Sequence, residues 1–330
     1  MNWRDKSVLI TGAGGFVGSH LAEKLVEHGA RVRAFVRYNS RGDWGLLKLL
    51  PSHKLQEIEV FTGDLRDSYT VRRAVEKTEI VFHLGSLIAV PYSYIRPRET
   101  IETNVMGALN VMSAANEAGI ERVIHTSTSE VYGTARYVPI DEKHPLQGQS
   151  PYSASKIGAD MVAQSFSCSF NLPVVIVRPF NIFGPRQSAR AVIPTIILQA
   201  LAPTAQIILG SLHPTRDFTY VDDIVGAFIR AAETKDIAGE LINIGSGFEI
   251  SIGDIAKKIM AILGVDKPVS LDNKRLRPPR SEVERLWCDN TKAKQLLGWE
   301  PAISFDEGLK RTIQWISANK DLYKADIYNV

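Results

Sequence analysis

The chain has 330 residues, 45% of them hydrophobic and 23% charged, and its mean hydropathy of -0.06 gives it room for one large or two unequal globular domains. A net charge of +3 gives no reason to invoke nucleic acid or a lipid surface. No apolar run reaches the roughly 18 residues that span a bilayer, and Met1 to Lys6 lead straight into a strand without a signal peptide, so a cytoplasmic protein is expected. Cys168 and Cys288 stand far apart with no second ligand near, which argues against a disulfide or a metal site and for buried or incidental thiols.

The first element is Ser7-Val-Leu-Ile-Thr11, a run of buried-strand type that enters a turn with glycines at 12, 15 and 18. Phe16, Val17, Leu21 and Leu25 then fall at helical spacing, so the piece reads strand, tight turn, helix. Such a turn cradles phosphate: Gly12, Gly15 and Gly18 admit the backbone bend and close approach, and the N–H groups around Phe16 and Val17 face the anion with the helix dipole. The spacing is G-x-x-G-x-x-G, one residue wider in its first gap than the usual dinucleotide fingerprint.

Further strand-like runs follow at Arg31–Val36, Glu57–Thr62, Glu79–His83, Arg122–Thr126 and Pro173–Val177, separated by helical stretches. That alternation predicts an α/β fold, a doubly wound parallel sheet of Rossmann type with ligands at the carboxyl ends of the strands. After about residue 180 prolines interrupt the pattern, and helices at roughly 251–263 and 305–318 predict a smaller mixed α/β second lobe. The expected division is 1–180 plus about 216–245 for the dinucleotide and 181–215 plus about 246–330 for the substrate.

The second strand ends without an acidic residue for the adenosine ribose. Arg37, Ser40 and Arg41 instead offer donors that suit a 2′-phosphate, so NADP is favoured over NAD. Asp64 and Leu65 follow the third strand, where Asp64 can accept from the adenine amino group. Leu84, Gly85 and Ser86 close the fourth, small residues that let the backbone approach the cofactor.

Chemistry enters at His125-Thr-Ser-Thr128-Ser129-Glu130-Val-Tyr132-Gly133 and at Tyr152-Ser-Ala-Ser-Lys156. Tyr152 and Lys156 share one helix face, where an ammonium can lower the phenol's pKa towards that of a general base. With Thr128 they predict a proton relay beside a nicotinamide ring.

Taken in order, these motifs, with Asn104, Arg178-Pro-Phe-Asn181-Ile-Phe-Gly184-Pro-Arg186, Arg216-Asp-Phe-Thr-Tyr-Val-Asp-Asp223 and Leu296-Leu-Gly-Trp299, resemble the extended short-chain dehydrogenase/reductases, specifically their nucleotide-sugar epimerase and dehydratase branch. The resemblance implies a sugar oxidised transiently at C4, with Tyr152 taking the hydroxyl proton, Thr128 holding the oxygen and Lys156 holding the nicotinamide ribose. Glu130 would then decide the reaction, because a C4 ketone acidifies C5–H and a carboxylate there can remove that proton before the C6 hydroxyl leaves. A plain 4-epimerase needs no such base.

Ser127-Thr-Ser-Glu130 is similar to GDP-mannose 4,6-dehydratases, and UDP-glucuronate decarboxylases use nearly the same string. dTDP-glucose 4,6-dehydratases carry Asp where Ser129 stands, so the separate general acid is replaced by Glu130 itself or by a water on Ser129. Val138 to Glu142, His144 to Pro151 and Arg186 to Arg190 resemble the 4,6-dehydratases of legionaminic-acid pathways, which act on nucleotide-linked N-acetylglucosamine. The resemblance implies a UDP- or GDP-linked substrate touched by Ser86, Ser129, Asn181, Arg190, Arg216 and Arg280. Arg277 is a further candidate, whereas Arg285 reads as solvated. It also implies a homodimer, with Val105, Val111, Met112, Met161, Val162 and Phe166 on the helices at 104–118 and 152–167 forming a four-helix seam. A dinucleotide-binding sensor without catalysis is the reading from another class, against which Thr128, Glu130, Tyr152 and Lys156 stand together.

Overall fold

The computed structural model describes residues 1–4 and 6–323. Six runs expected from the sequence form strands: β1 (Ser7–Thr11), β2 (Arg31–Arg37), β3 (Ile58–Gly63), β4 (Ile80–His83), β5 (Arg122–Thr126) and β6 (Val174–Pro179). A further strand, Leu241–Ile244, joins beside β6. Across the sheet the order is Leu241–Ile244, β6, β5, β4, β1, β2, β3, every neighbouring pair parallel. The chain therefore winds one way from β1 to β3 and the other way from β4 onward. That reversal opens a crevice outside the carboxyl ends of β1 and β4, the place where a doubly wound sheet takes its ligand.

Parallel strands are buried on both faces, and here β4 and β6 have no residue outside the core. One apolar cluster, with Ile10, Leu21, Leu25, Phe82 and Phe228, covers one face; another, with Leu9, Val81, Val111, Met112 and Val123, covers the other.

After β6 the strands leave the large sheet. Asn181–Phe183, Thr215–Tyr220, Glu249–Ser251 and Arg285–Leu286 form a four-stranded mixed sheet around Thr215–Tyr220, and Ile207–Leu209 pairs with Val269–Leu271. The expected late helices run Ile252–Leu263 and Phe305–Ala318. Each starts on a serine, Ser251 or Ser304, whose side chain accepts from the backbone three residues on, a cap worth about 1 kcal/mol.

The helix Pro151–Phe170 carries the Tyr152 motif. Ser150 and Ser153 close a reciprocal capping box at its start and Pro151 occupies its first position, so its register is fixed before Tyr152 is reached. Tyr152, Lys156 and Asp160 then follow at four-residue intervals on its buried face.

One sequence expectation is corrected. Val111 and Met112, read as part of an outward seam, are fully buried against the sheet, and Val162 and Phe166 pack on the same cluster, because one face of a parallel sheet needs that much cover. The exposed apolar residues of this region are Ile101, Met106, Met161 and Phe170. Cys168 is exposed while Cys288 is buried. Among the described residues no helix is long and apolar enough to cross a membrane.

Candidate active site

Gly15 caps the helix Phe16–Glu27 with extended backbone, no side chain bonds the first-turn amides, and no acidic residue stands in that turn. The amides at Phe16, Val17 and Gly18 are thus left for an anion. Gly12 has φ +72, and a Cβ on it would lie 2.8 Å from the Gly85 backbone; one on Gly18 would lie 2.3 Å from the Gly12 carbonyl. Gly15 differs, since a Cβ there would meet nothing nearer than that carbonyl at 3.1 Å and its other sides are open. The turn is packed shut behind and clear in front, which fits a pyrophosphate.

Leu84, Gly85 and Ser86 continue from β4 at partial burial, and the Gly85 amide donates to Thr11 Oγ1 at 3.0 Å, tying them to the end of β1. Asp64 follows β3, but its carboxylate is occupied: it accepts from Arg66 N, Nε and Nη2 at 2.9, 3.0 and 2.6 Å. Those bonds, above all the side-chain ones, hold it below the usual carboxylate range. Leu65 is buried beside it. Arg37, Ser40 and Arg41 are exposed at the end of β2, and Arg37 Nη2 lies 3.5 Å from Glu99 Oε1. Sequence reading did not find Glu99, because it belongs to a helix beyond β4.

At the end of β5, Thr128 opens a single 3-10 turn, Ser129–Tyr132, and its Oγ1 accepts from the Glu130 amide at 3.3 Å. Thr128 also acts on the Tyr152 phenol. Burial raises the phenol's pKa, Thr128 opposes the rise, and the charges of Glu130 and Asp160 add to it. Lys156 is buried too; its Nζ donates to the Thr126 carbonyl at 2.6 Å. Burial lowers its pKa to about 8, Asp160 working against the fall and Arg178 with it. The expected lowering of the Tyr152 pKa by Lys156 is therefore not what holds here: burial dominates the phenol and the ammonium is turned to a backbone carbonyl.

Beneath this pair lies a polar layer that sequence reading missed. Asp160 Oδ2 accepts from Arg178 Nη2 at 2.7 Å and Ser127 Oγ at 2.6 Å, and its Oδ1 lies 3.3 Å from His125 Nε2. His125 packs on His83 with ring centres 5.3 Å apart, and His83 Nδ1 bonds Thr11 Oγ1 at 2.8 Å. Burial opposes the Asp160 charge, but His125 and Arg178 outweigh it and hold the carboxyl at about 2. The signal was present in the four-residue step from Lys156 to Asp160.

Facing the crevice from the other side is a ring of ion pairs. Arg277 Nη1 stands 3.3 Å from Glu130 Oε2 and its Nε 4.0 Å from Glu282 Oε1; Arg216 Nη2 is 3.5 Å from the same Glu282 oxygen. Burial works against the Arg277 charge and the two carboxylates more than offset it. Of the expected substrate residues, Arg216 is in this ring, Ser129 is buried beside it, and Asn181 is half-buried with Oδ1 unbonded among the described residues. Arg190 and Arg280 are exposed outside it, and Arg285 pairs with Glu249 at the surface. The ring's own geometry singles out Arg277, a further candidate in the sequence, and Glu282, which the sequence did not mark.

Residues 9–312 match the family model described as GDP-mannose 4,6 dehydratase. The mouse dTDP-D-glucose 4,6-dehydratase is 34% identical over 322 residues, 95% of this chain and 89% of that protein. A UDP-N-acetyl-alpha-D-glucosaminuronate decarboxylase of Bacillus cytotoxicus is also 34% identical, over 94% of this chain and 97% of its own. Among solved structures, the epimerase Mth375 of Methanothermobacter thermautotrophicus superposes with a TM-score of 0.88 at 31% identity, covering 97% of this chain and 94% of that one. DesIV, a dTDP-glucose 4,6-dehydratase of Streptomyces venezuelae solved with NAD bound, gives 0.85 at 28%, covering 96% and 98%. That neighbour carries NAD, and the preference for NADP read from Arg37, Ser40 and Arg41 finds no support in it. With the matched model spanning nearly the whole chain and the glycine turn, Tyr152, Lys156 and Glu130 gathered at one sheet end, the chain belongs to the GDP-mannose 4,6-dehydratase type of extended short-chain dehydrogenase/reductases.

Proposed function

We propose that the chain is a nucleotide-sugar 4,6-dehydratase that converts UDP- or GDP-linked N-acetylglucosamine to the 4-keto-6-deoxy sugar. The observation that carries this reading is Glu130, a carboxylate two residues after Thr128 whose charge reaches Tyr152 and which an arginine holds in the crevice. Gly12, Gly15 and Gly18 with the Phe16 and Val17 amides would hold the dinucleotide, Asp64 to Leu65 and Leu84 to Ser86 would flank it, and Lys156 would hold the nicotinamide ribose. When bound, the nicotinamide takes a hydride from C4 and returns it to C6.

Tyr152, as phenolate, accepts the C4 hydroxyl proton while Thr128 holds the same oxygen. The resulting ketone acidifies C5–H, and Glu130 takes that proton. Because Ser129 is buried, Glu130 is also the group proposed to hand the proton to the C6 oxygen, so that water leaves and a C5–C6 double bond remains. Hydride return to C6 would leave an enolate, which a proton taken up at C5 would convert to the 4-ketone. Asn181, Arg216 and Arg277 would meet the diphosphate and sugar, since guanidinium forks match oxyanions. Residues 1–180 with about 216–245 would serve the cofactor and 181–215 with about 246–330 the nucleotide sugar.

A second reading rests on Arg277. A guanidinium next to the C5 base would also pair with a uronate carboxylate, so decarboxylation of a nucleotide-linked uronate is the alternative. Exposed Ile101, Met106, Met161 and Phe170 support a homodimer. The test is product mass after incubation with UDP- and GDP-N-acetylglucosamine and with UDP-glucuronate. Loss of one water from the amino sugar supports the dehydratase, loss of carbon dioxide from the uronate the second reading. Unchanged mass with inverted C4 would mean a 4-epimerase, and cofactor binding without turnover a sensor.

A further inference from the structure

A dinucleotide-binding domain that takes a free 2′-hydroxyl holds it on a carboxylate near the end of its second strand. Here that end carries Arg37, set opposite Gly63 by the register of β2 on β3 and so next to Asp64. Asp64 is spoken for by Arg66, which donates to it three times.

A second carboxylate reaches the same place from further along the chain. Glu99, in the short helix Pro97–Ile101, brings Oε1 to 3.5 Å from Arg37 Nη2, while its Oε2 accepts from the Tyr92 hydroxyl at 2.6 Å. Its side chain is 25% exposed against 65% for Arg37, so the acid is the anchored partner and the guanidinium the free-swinging one.

We infer that Glu99 is a specificity residue of the cofactor site, supplying from beyond β4 the carboxylate that favours a 2′-hydroxyl over a 2′-phosphate. The inference rests on the reading that the glycine-rich turn holds a nicotinamide dinucleotide. A phosphate monoester carries a charge of about -1.5 to -2 at neutral pH, so to reach Arg37 it must displace Glu99 and then sit beside it, two anions at close range with Tyr92 keeping the carboxylate in place. A ribose hydroxyl asks for no such exchange; it donates to a carboxylate oxygen and leaves the ion pair standing. The basic run Arg37, Ser40, Arg41 on its own points to the opposite choice, and the structure differs because the counter-charge comes from a segment far away in sequence.

The test is direct binding, read as dissociation constants for NADH and NADPH from nicotinamide fluorescence. Wild type, Glu99→Gln, Arg37→Gln and the double variant are compared, with Tyr92→Phe as a change that keeps every charge and only loosens Glu99. Wild type is expected to prefer NADH, and Glu99→Gln to move the ratio about tenfold towards NADPH, roughly 1.4 kcal/mol. In the Arg37→Gln background the same substitution should move it by less than about threefold, because the group it releases is gone. Tyr92→Phe should give a smaller shift in the same direction. A ratio unchanged by Glu99→Gln while both cofactors still bind, or an equal shift with and without Arg37, overturns the role of Glu99 alone. Failure of wild type to bind either reduced cofactor overturns the dinucleotide reading and this inference with it.

Discussion

Tyr152 feels two groups of charges, one through Asp160 and one through Glu130, and the two are built differently. The layer below, Asp160 with Arg178, His125, Ser127 and Lys156, is at most 4% exposed, and Arg178, Ser127 and His125 meet Asp160 at 2.6 to 3.3 Å. The ring above, Glu130 with Arg277, Glu282 and Arg216, is looser, at 3.3 to 4.0 Å, and Arg277 is 24% exposed. Buried charges that are closely paired hold a geometry, whereas loosely paired charges at a crevice can trade partners with a ligand. The lower layer positions the Tyr152 helix; the upper ring is where a charged substrate can bind.

The sharpest way to break this contrast is to remove a partner from the lower layer. Asp160→Ala leaves Arg178 buried and uncompensated, and should cost about 3–5 kcal/mol in denaturant unfolding; a loss under about 1 kcal/mol would place Asp160 outside any structural role. The milder Asp160→Asn sharpens the same point through pH. Asp160 supports the Lys156 ammonium, whose pKa burial has already lowered to about 8. Turnover should therefore decline above about pH 8 in the wild type, and the decline should begin at lower pH in Asp160→Asn, since the charge that raised the Lys156 pKa is gone.

In the upper ring, Arg277→Ala should leave stability within about 1 kcal/mol and reduce kcat/KM for the sugar nucleotide by about 10- to 100-fold, the size of a lost charged hydrogen bond. Smallest of all, Arg285→Ala removes an exposed pair with Glu249 and should change stability by less than about 1 kcal/mol, with turnover unaffected.

Much of the fold could be read from sequence because its signals are local. β-branched runs end at glycines or polar turns, and five of the six expected strands start and stop within one residue of where they were read; β6 alone runs further, to Pro179. The small sheet was not resolved into strands, since Asn181–Phe183 and Glu249–Ser251 are three residues each, too short for a period to register. Thr128, Glu130, Tyr152 and Lys156 were legible because a strand end and one helix turn bring them together. The partners that tune them were not: Arg277 meets Glu130, Arg178 meets Asp160 and Glu99 meets Arg37 across separate elements, and a surface arginine and a crevice arginine look alike in a loop. Exposed Arg190 and Arg280 show the same ambiguity from the other side.

The central claim is that Glu130 removes the C5 proton after C4 has been oxidised. The most direct measurement is a single turnover of Glu130→Gln with bound cofactor and the sugar nucleotide, following nicotinamide absorbance and product mass together. The account predicts that reduced nicotinamide accumulates and no water is lost, oxidation proceeding through Tyr152 and stalling before elimination. Dehydrated product at a rate within about twofold of wild type would contradict it, since loss of a general base costs about 10²–10⁴-fold.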